Sequence, residues 1–233
     1  MKVRMIGSAC LSFALTRRSA RQRLYALLAL PLLASAAEAR PELTAKFLQA
    51  AQTFEQARAG SAEATPLAQA AFRDLLNEDP DNPLYLVYYG STFAMQARDG
   101  RLPWQRVKDI HDSIATLNRG LSLLRPEHDS IETRGMPLSL ETRLVAIATF
   151  VALPEVFHCL PIAREQLEIA MGSPLFASAP RELRGRLFYE AALIAEADGE
   201  VQRERVALRQ VLDCAPASLD LGEVRAKLEK LGG

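Results

Sequence analysis

The chain has little of what marks an enzyme or a metalloprotein. Its 233 residues include only three histidines, His111, His128 and His158, and three cysteines, Cys10, Cys159 and Cys214. No histidine has a histidine or cysteine partner three or four residues away, the spacing that sets two ligands on one helical face. His158 and Cys159 are adjacent, which turns their side chains in different directions. A Cys–His nucleophile pair would need His111 or His128 brought to Cys159 from a separate element, and a buried thiol is the simpler expectation. Nucleophile-elbow, P-loop, H-E-x-x-H and glycine-rich dinucleotide motifs are all missing. The sequence therefore predicts no catalytic residue, no metal and no cofactor.

Charge of one sign is also scarce. The 28 basic and 28 acidic residues cancel, and a nucleic-acid binder usually concentrates a basic excess. Hydrophobic residues make up 49% of the chain, too many for disorder, while aromatics are only 6% with a single tryptophan, Trp104. No segment alternates polar and apolar residues between turn signals, so no strand is expected.

The first 39 residues read as an export leader. A basic segment holding Arg17, Arg18, Arg21 and Arg23 precedes the apolar run Leu24 to Ala34, followed by small residues. Two cleavage points fit, Ala34-Ser35-Ala36 and Ala37-Glu38-Ala39; the second is preferred because Arg40 then opens the processed chain. The apolar run is shorter than the ~20 residues that span a bilayer. The pair Arg17-Arg18 lacks the bulky apolar residues of a twin-arginine signal, which favours general secretion. Arginine outnumbers lysine 23 to five, as in a GC-rich bacterium, and the periplasm is the expected compartment. Without residues 1–39 the chain keeps 22 basic and 27 acidic residues, net −5, and no transmembrane helix. Cys159 and Cys214 then remain, free or bonded, since a disulfide depends on a Cα approach that sequence does not give.

Residues 40–233 read as one helical domain. Leu43, Phe47, Ala50, Phe54 and Ala57 line one face of a helix from Pro41 to Ala59, ended by Gly60. Thr65 before Pro66 predicts an N-cap for a second helix with Leu67, Ala71 and Leu75 inward. A third runs from Pro83 to about Arg98. Val107, Ile110, Ile114, Leu117, Leu121 and Leu124 give the fourth, from Pro103, the cleanest apolar stripe in the chain. Residues 126–137 are expected to be a loop. A fifth helix carries Leu140, Leu144, Ile147 and Val151 and must stop at Pro154. Four more follow, over Pro161–Met171, after Pro180, from Glu200 to Cys214, and around Leu221–Leu231 as a polar end cap.

Helices of this length in alternating pairs raise the question of repeats. Ala68, Phe72, Leu75 and Pro80 have the spacing of a second repeat helix, and Leu86, Tyr89, Gly90 and Phe93 that of the next first helix. Phe188, Ala191, Ala192 and Ala195, the turn Asp198-Gly199, then Leu208, Val211 and Pro216 repeat the pattern, although Glu204 stands where a small residue is usual. Pro80 and Pro216 lie 136 residues apart, four units of 34. On these residues the chain resembles the tetratricopeptide repeat family over most of 41–218. Tyr88-Tyr89-Gly90-Ser91 and Ala152-Leu153-Pro154 are loosely similar to exported bacterial members. The resemblance implies an all-α fold of antiparallel helix pairs stacked as a right-handed solenoid of eight or nine helices.

It also implies a non-catalytic scaffold in the cell envelope whose first helices line a groove for a protein or peptide partner. Candidate partner-binding residues are then Tyr88, Ser91, Met95, Arg186, Tyr189 and Glu196. Tyrosines at such spacing also pack between helices. The lysines and asparagines with which family members clamp a free C-terminal carboxylate are absent from the first helices. Trp104 joins the candidates as a binding anchor, against the simpler expectation that it fills a gap between helix pairs. A second reading, an accessory subunit of an envelope transporter or secretion assembly, would require a further, hydrophobic docking face.

Overall fold

Proline and glycine punctuate the chain into helices whose inward faces are fixed by apolar spacing. The structure, a computed structural model, describes residues 41–100 and 102–232; the leader with its cleavage points, and Cys10, lie outside the described residues. Nine α-helices occur among those residues: α1 (Pro41–Arg58), α2 (Ala64–Glu78), α3 (Pro83–Asp99), α4 (Pro103–Ser122), α5 (Leu138–Ala152), α6 (Leu160–Gly172), α7 (Arg181–Ala197), α8 (Val201–Cys214) and α9 (Leu221–Lys230). Four successive pairs, α1/α2, α3/α4, α5/α6 and α7/α8, pack each on the next, and α9 closes the end against α8. The first helices α1, α3, α5 and α7 touch in sequence, the pattern of a helical-repeat solenoid. Among the described residues no helix is long and apolar enough to cross a membrane.

The helix ends follow local chemistry. Gly60 adopts φ +106° and its N–H closes on Ala57 O after α1. Asn82 caps α3, its side-chain oxygen accepting from Leu84 and Tyr85 N–H. Asp220 does the same for α9 through Gly222 and Glu223. Leu153-Pro154 ends α5 as expected, followed by a 3-10 turn over Glu155–Phe157. Thr65 is different. It sits inside α2, fully buried, and its hydroxyl donates to Asp99 Oδ2 at 2.7 Å, tying α2 to the end of α3 instead of capping its own helix.

Two more expectations are corrected. Leu67 is 63% exposed and Val107 47% exposed, because α2 buries the neighbouring stripe Ala68, Phe72 and Leu75, and α4 turns Ile110, Ser113, Leu117 and Gly120 inward. The expected loop at 126–137 also holds a two-stranded hairpin, β1 (Glu132–Thr133) and β2 (Met136–Pro137). Its turn is Arg134-Gly135, both at positive φ, the geometry of a tight primed turn. Two residues per strand are too few for an alternation to be visible in sequence.

The core centres on rings. Tyr88 is stacked on Phe72 with centroids 4.8 Å apart and meets Phe54 edge-on at 4.7 Å, while Phe47 meets both Phe72 and Tyr88 edge-on. Each such pair contributes roughly 0.5–1.5 kcal/mol beyond the area it buries. The α3/α4 crossing needs glycine on both sides. A methyl at Gly120 would stand 2.8 Å from Val87 Cγ1 and 3.0 Å from Pro83 O, and one at Gly90 3.1 Å from the backbone N of Leu117. A second cluster around Phe188, Leu208 and Val211 joins α7, α8 and α9. Cys159 lies in the first cluster and Cys214 in the second; both are buried free thiols.

Candidate functional site

The stacking of first helices leaves one cavity that their side chains share. It has a volume of about 350 Å³ and opens between α1, α3, α5 and α7, with the start of α4 along one side. Small residues create it: Ala94 of α3 and Ala148 and Ala152 of α5 occupy positions where larger side chains would fill the space. Its wall is apolar through Phe54, Met95, Ile110 and Val145. Ser91 and Thr149 add hydroxyls 2.6 Å apart, and each also lies 2.8 Å from a carbonyl of its own helix, Val87 O and Val145 O. Two protons serve these three contacts, so one hydroxyl can turn toward a new acceptor without leaving a donor stranded.

Four arginines line the cavity and no acid does: Arg58, Arg98, Arg106 and Arg186. They are not equivalent. Arg58 donates to Glu55 at 2.7 Å. Arg98 bonds Asp99 and reaches the Ala57 carbonyl at 2.9 Å, satisfying the end of α1. Arg186 makes no hydrogen bond to the described residues and its one ion pair among them is with Glu55, at 4.0 Å, although its side chain is just 13% exposed. Arg106, on the exposed start of α4, has no ion pair among the described residues.

One turn along α7 from Arg186, Glu190 is buried and accepts no hydrogen bond from the described residues. Burial pushes its carboxyl up from 4.5 to about 7, against the opposing pull of Arg186 and Arg58. At neutral pH it therefore carries only part of a charge. A separate polar group lies deeper. Glu141 of α5 accepts from the Tyr88 hydroxyl at 2.8 Å and is paired with Arg134, which also donates to Tyr88 at 2.8 Å. Arg134 further sits over the Phe47 ring, 5.4 Å from its centroid. This triad joins α3, the hairpin and α5.

The predicted site residues divide four ways. Ser91, Met95 and Arg186 all line the cavity. Tyr88 does not: it is 1% exposed, in the core and bound to Glu141, so it offers no surface to a partner. Tyr189 and Glu196 lie on the far side of α7, Tyr189 half-buried against the second cluster and Glu196 paired with Lys227 of α9. Glu204, at the usual small-residue position, is buried there too, 3.5 Å from Lys227. Trp104 fills no gap between helix pairs; it is 68% exposed on the first turn of α4, beside Leu102 and Val107. Spacing alone did not single out Phe54, Thr149 or the rim arginines, since alanines on α5 and arginines at three helix ends look like ordinary surface until the helices are stacked.

Catalytic geometry is not assembled around the thiols. Burial raises the Cys159 thiol, which keeps it protonated and a poor nucleophile. His111 is engaged edge-on with Phe157, ring centroids 5.6 Å apart. Among the described residues no group of three or more His, Cys, Asp or Glu is placed to hold a metal. No protein-family model, curated protein or solved structure matches the chain.

Proposed function

We propose that the chain is an exported, non-catalytic scaffold of the tetratricopeptide-like kind, which works in the periplasm by holding a segment of another envelope protein or a peptide. The single observation that carries this reading is the cavity shared by α1, α3, α5 and α7. It gathers Ser91 and Met95 from α3 and Arg186 from α7, on the face that a repeat scaffold offers to ligands. An apolar lining with a few convergent polar groups suits binding. The leader-like sequence of residues 1–39 supports export.

A second reading is favoured by a different surface. Leu102, Trp104 and Val107 are exposed together at the start of α4, which is the kind of hydrophobic face an accessory subunit of an envelope transporter or secretion assembly would need. Affinity capture from a bacterial envelope fraction separates the two. A partner retained by the wild type, lost with Met95→Arg and kept with Trp104→Ala supports the groove scaffold. Loss with Trp104→Ala alone supports the accessory subunit, and a partner kept by both variants contradicts the two readings together.

A further inference from the structure

The charge pattern of the cavity specifies what kind of segment it takes. Of its four arginines, Arg58 and Arg98 are neutralised by Glu55 and Asp99, and Arg98 is further committed to the carbonyls that end α1. Arg186 and Arg106 are left. A guanidinium carries five donors in a planar fork, and withdrawing it from water without acceptors is costly. Arg186 keeps spare donors at the cavity wall: its side chain is seven-eighths buried, it makes no hydrogen bond to the described residues, Glu190 and Glu141 act on it only through their fields, and Glu55, at 4.0 Å, is already held more closely by Arg58. Such a group is complementary to a carboxylate, which it can grip through two parallel hydrogen bonds.

A cavity of about 350 Å³ has room for side chains of a bound segment. Its apolar wall of Met95, Ile110 and Val145 asks for an apolar side chain, while the two uncommitted arginines lie on different helices, α7 and α4.

We infer that the cavity recognises an acidic segment of the partner, seating one apolar side chain among Met95, Ile110 and Val145 and engaging neighbouring carboxylates with Arg186 and Arg106. This rests on the reading of the chain as a peptide-binding scaffold. It names the chemistry of the bound segment, an aspartate- or glutamate-flanked apolar residue inside a chain.

Selection of a random dodecapeptide phage library on the purified protein tests both levels separately. The expected result is a consensus with Asp or Glu within two positions of Leu, Ile, Met or Phe. The synthetic consensus peptide, acetylated and amidated so that it has no terminal charge, should then bind at least tenfold more weakly to Arg186→Gln and to Arg106→Gln, as loss of a charge-assisted hydrogen bond implies. Arg106 is exposed and unpaired, so its variant retains the fold, and circular dichroism checks both. A neutral or basic consensus, or acidic peptides indifferent to both substitutions, would overturn the inference and leave the scaffold reading standing. Failure to enrich any peptide would overturn the scaffold reading itself.

Discussion

Glu141 and Glu190 are both buried carboxylates on first helices that burial pushes up, yet the molecule partners them differently. Glu141 has Tyr88 and Arg134 in direct contact, which pull its carboxyl back part of the way but leave it raised. Glu190 has only the fields of Arg186 and Arg58, with no hydrogen bond, and its carboxyl is held up at about 7. The first arrangement is knit together by direct contacts through Glu141 Oε1, and it fastens the hairpin to α3 and α5. The second is open, and its arginine lines a cavity. Buried polar groups that bond one another fix a fold.

The largest effect should come from breaking the first arrangement. Arg134→Ala leaves Glu141 buried beside Tyr88 without its cation, and a loss of about 3 kcal/mol is expected, the low end for a broken buried pair because the Arg134 side chain is 25% exposed. Urea unfolding would measure it, and the deficit should shrink as pH falls and Glu141 takes up a proton.

Glu190 supplies a pH test of the open arrangement. Its folded carboxyl titrates at about 7 against an ordinary 4.5. The folded state thus binds the proton more tightly, so stability is greatest below pH 4.5 and falls as pH rises through the window to 7, by about 3 kcal/mol in the limit. Glu190→Gln should remove this slope and be the more stable protein at pH 8. A wild-type profile that rises between pH 5 and 7 in the same place where the variant is flat would reverse the assignment.

Smaller effects sharpen the contrast between packed crossing and open cavity. Gly120→Ala forces a methyl against Val87 and the Pro83 carbonyl where α3 meets α4, and should cost roughly 1–3 kcal/mol in thermal unfolding. Ser91→Ala should change stability by less than about 1 kcal/mol, because Thr149 keeps its bond to the Val145 carbonyl.

Much of this architecture was legible from spacing. Gly90, part of the repeat spacing, stands at the α3/α4 crossing. Prolines and glycines marked nearly every helix end, since their backbone constraints act locally. Inward faces were read less evenly: Leu67 and Val107 lie on apolar stripes that solvent covers, because which of two adjacent stripes is buried depends on the neighbouring helix. The candidate residues follow the same rule. Ser91, Met95 and Arg186, picked by their positions on first helices, line the cavity, while Tyr88, at an equally plausible position, is turned inward onto Glu141, 53 residues later in the chain. Nor does spacing tell a committed arginine from a free one; that distinction depends on Glu55, Asp99 and the end of α1.

The most direct measurement compares Arg134→Gln with Arg186→Gln in thermal unfolding and in binding of the selected acidic peptide. The account predicts that Arg134→Gln lowers the midpoint by several degrees, while Arg186→Gln melts close to the wild type and loses the peptide. If Arg186→Gln destabilised the fold as much as Arg134→Gln and still bound the peptide, Arg186 would be another structural arginine and the open cavity would have no claim to be the site.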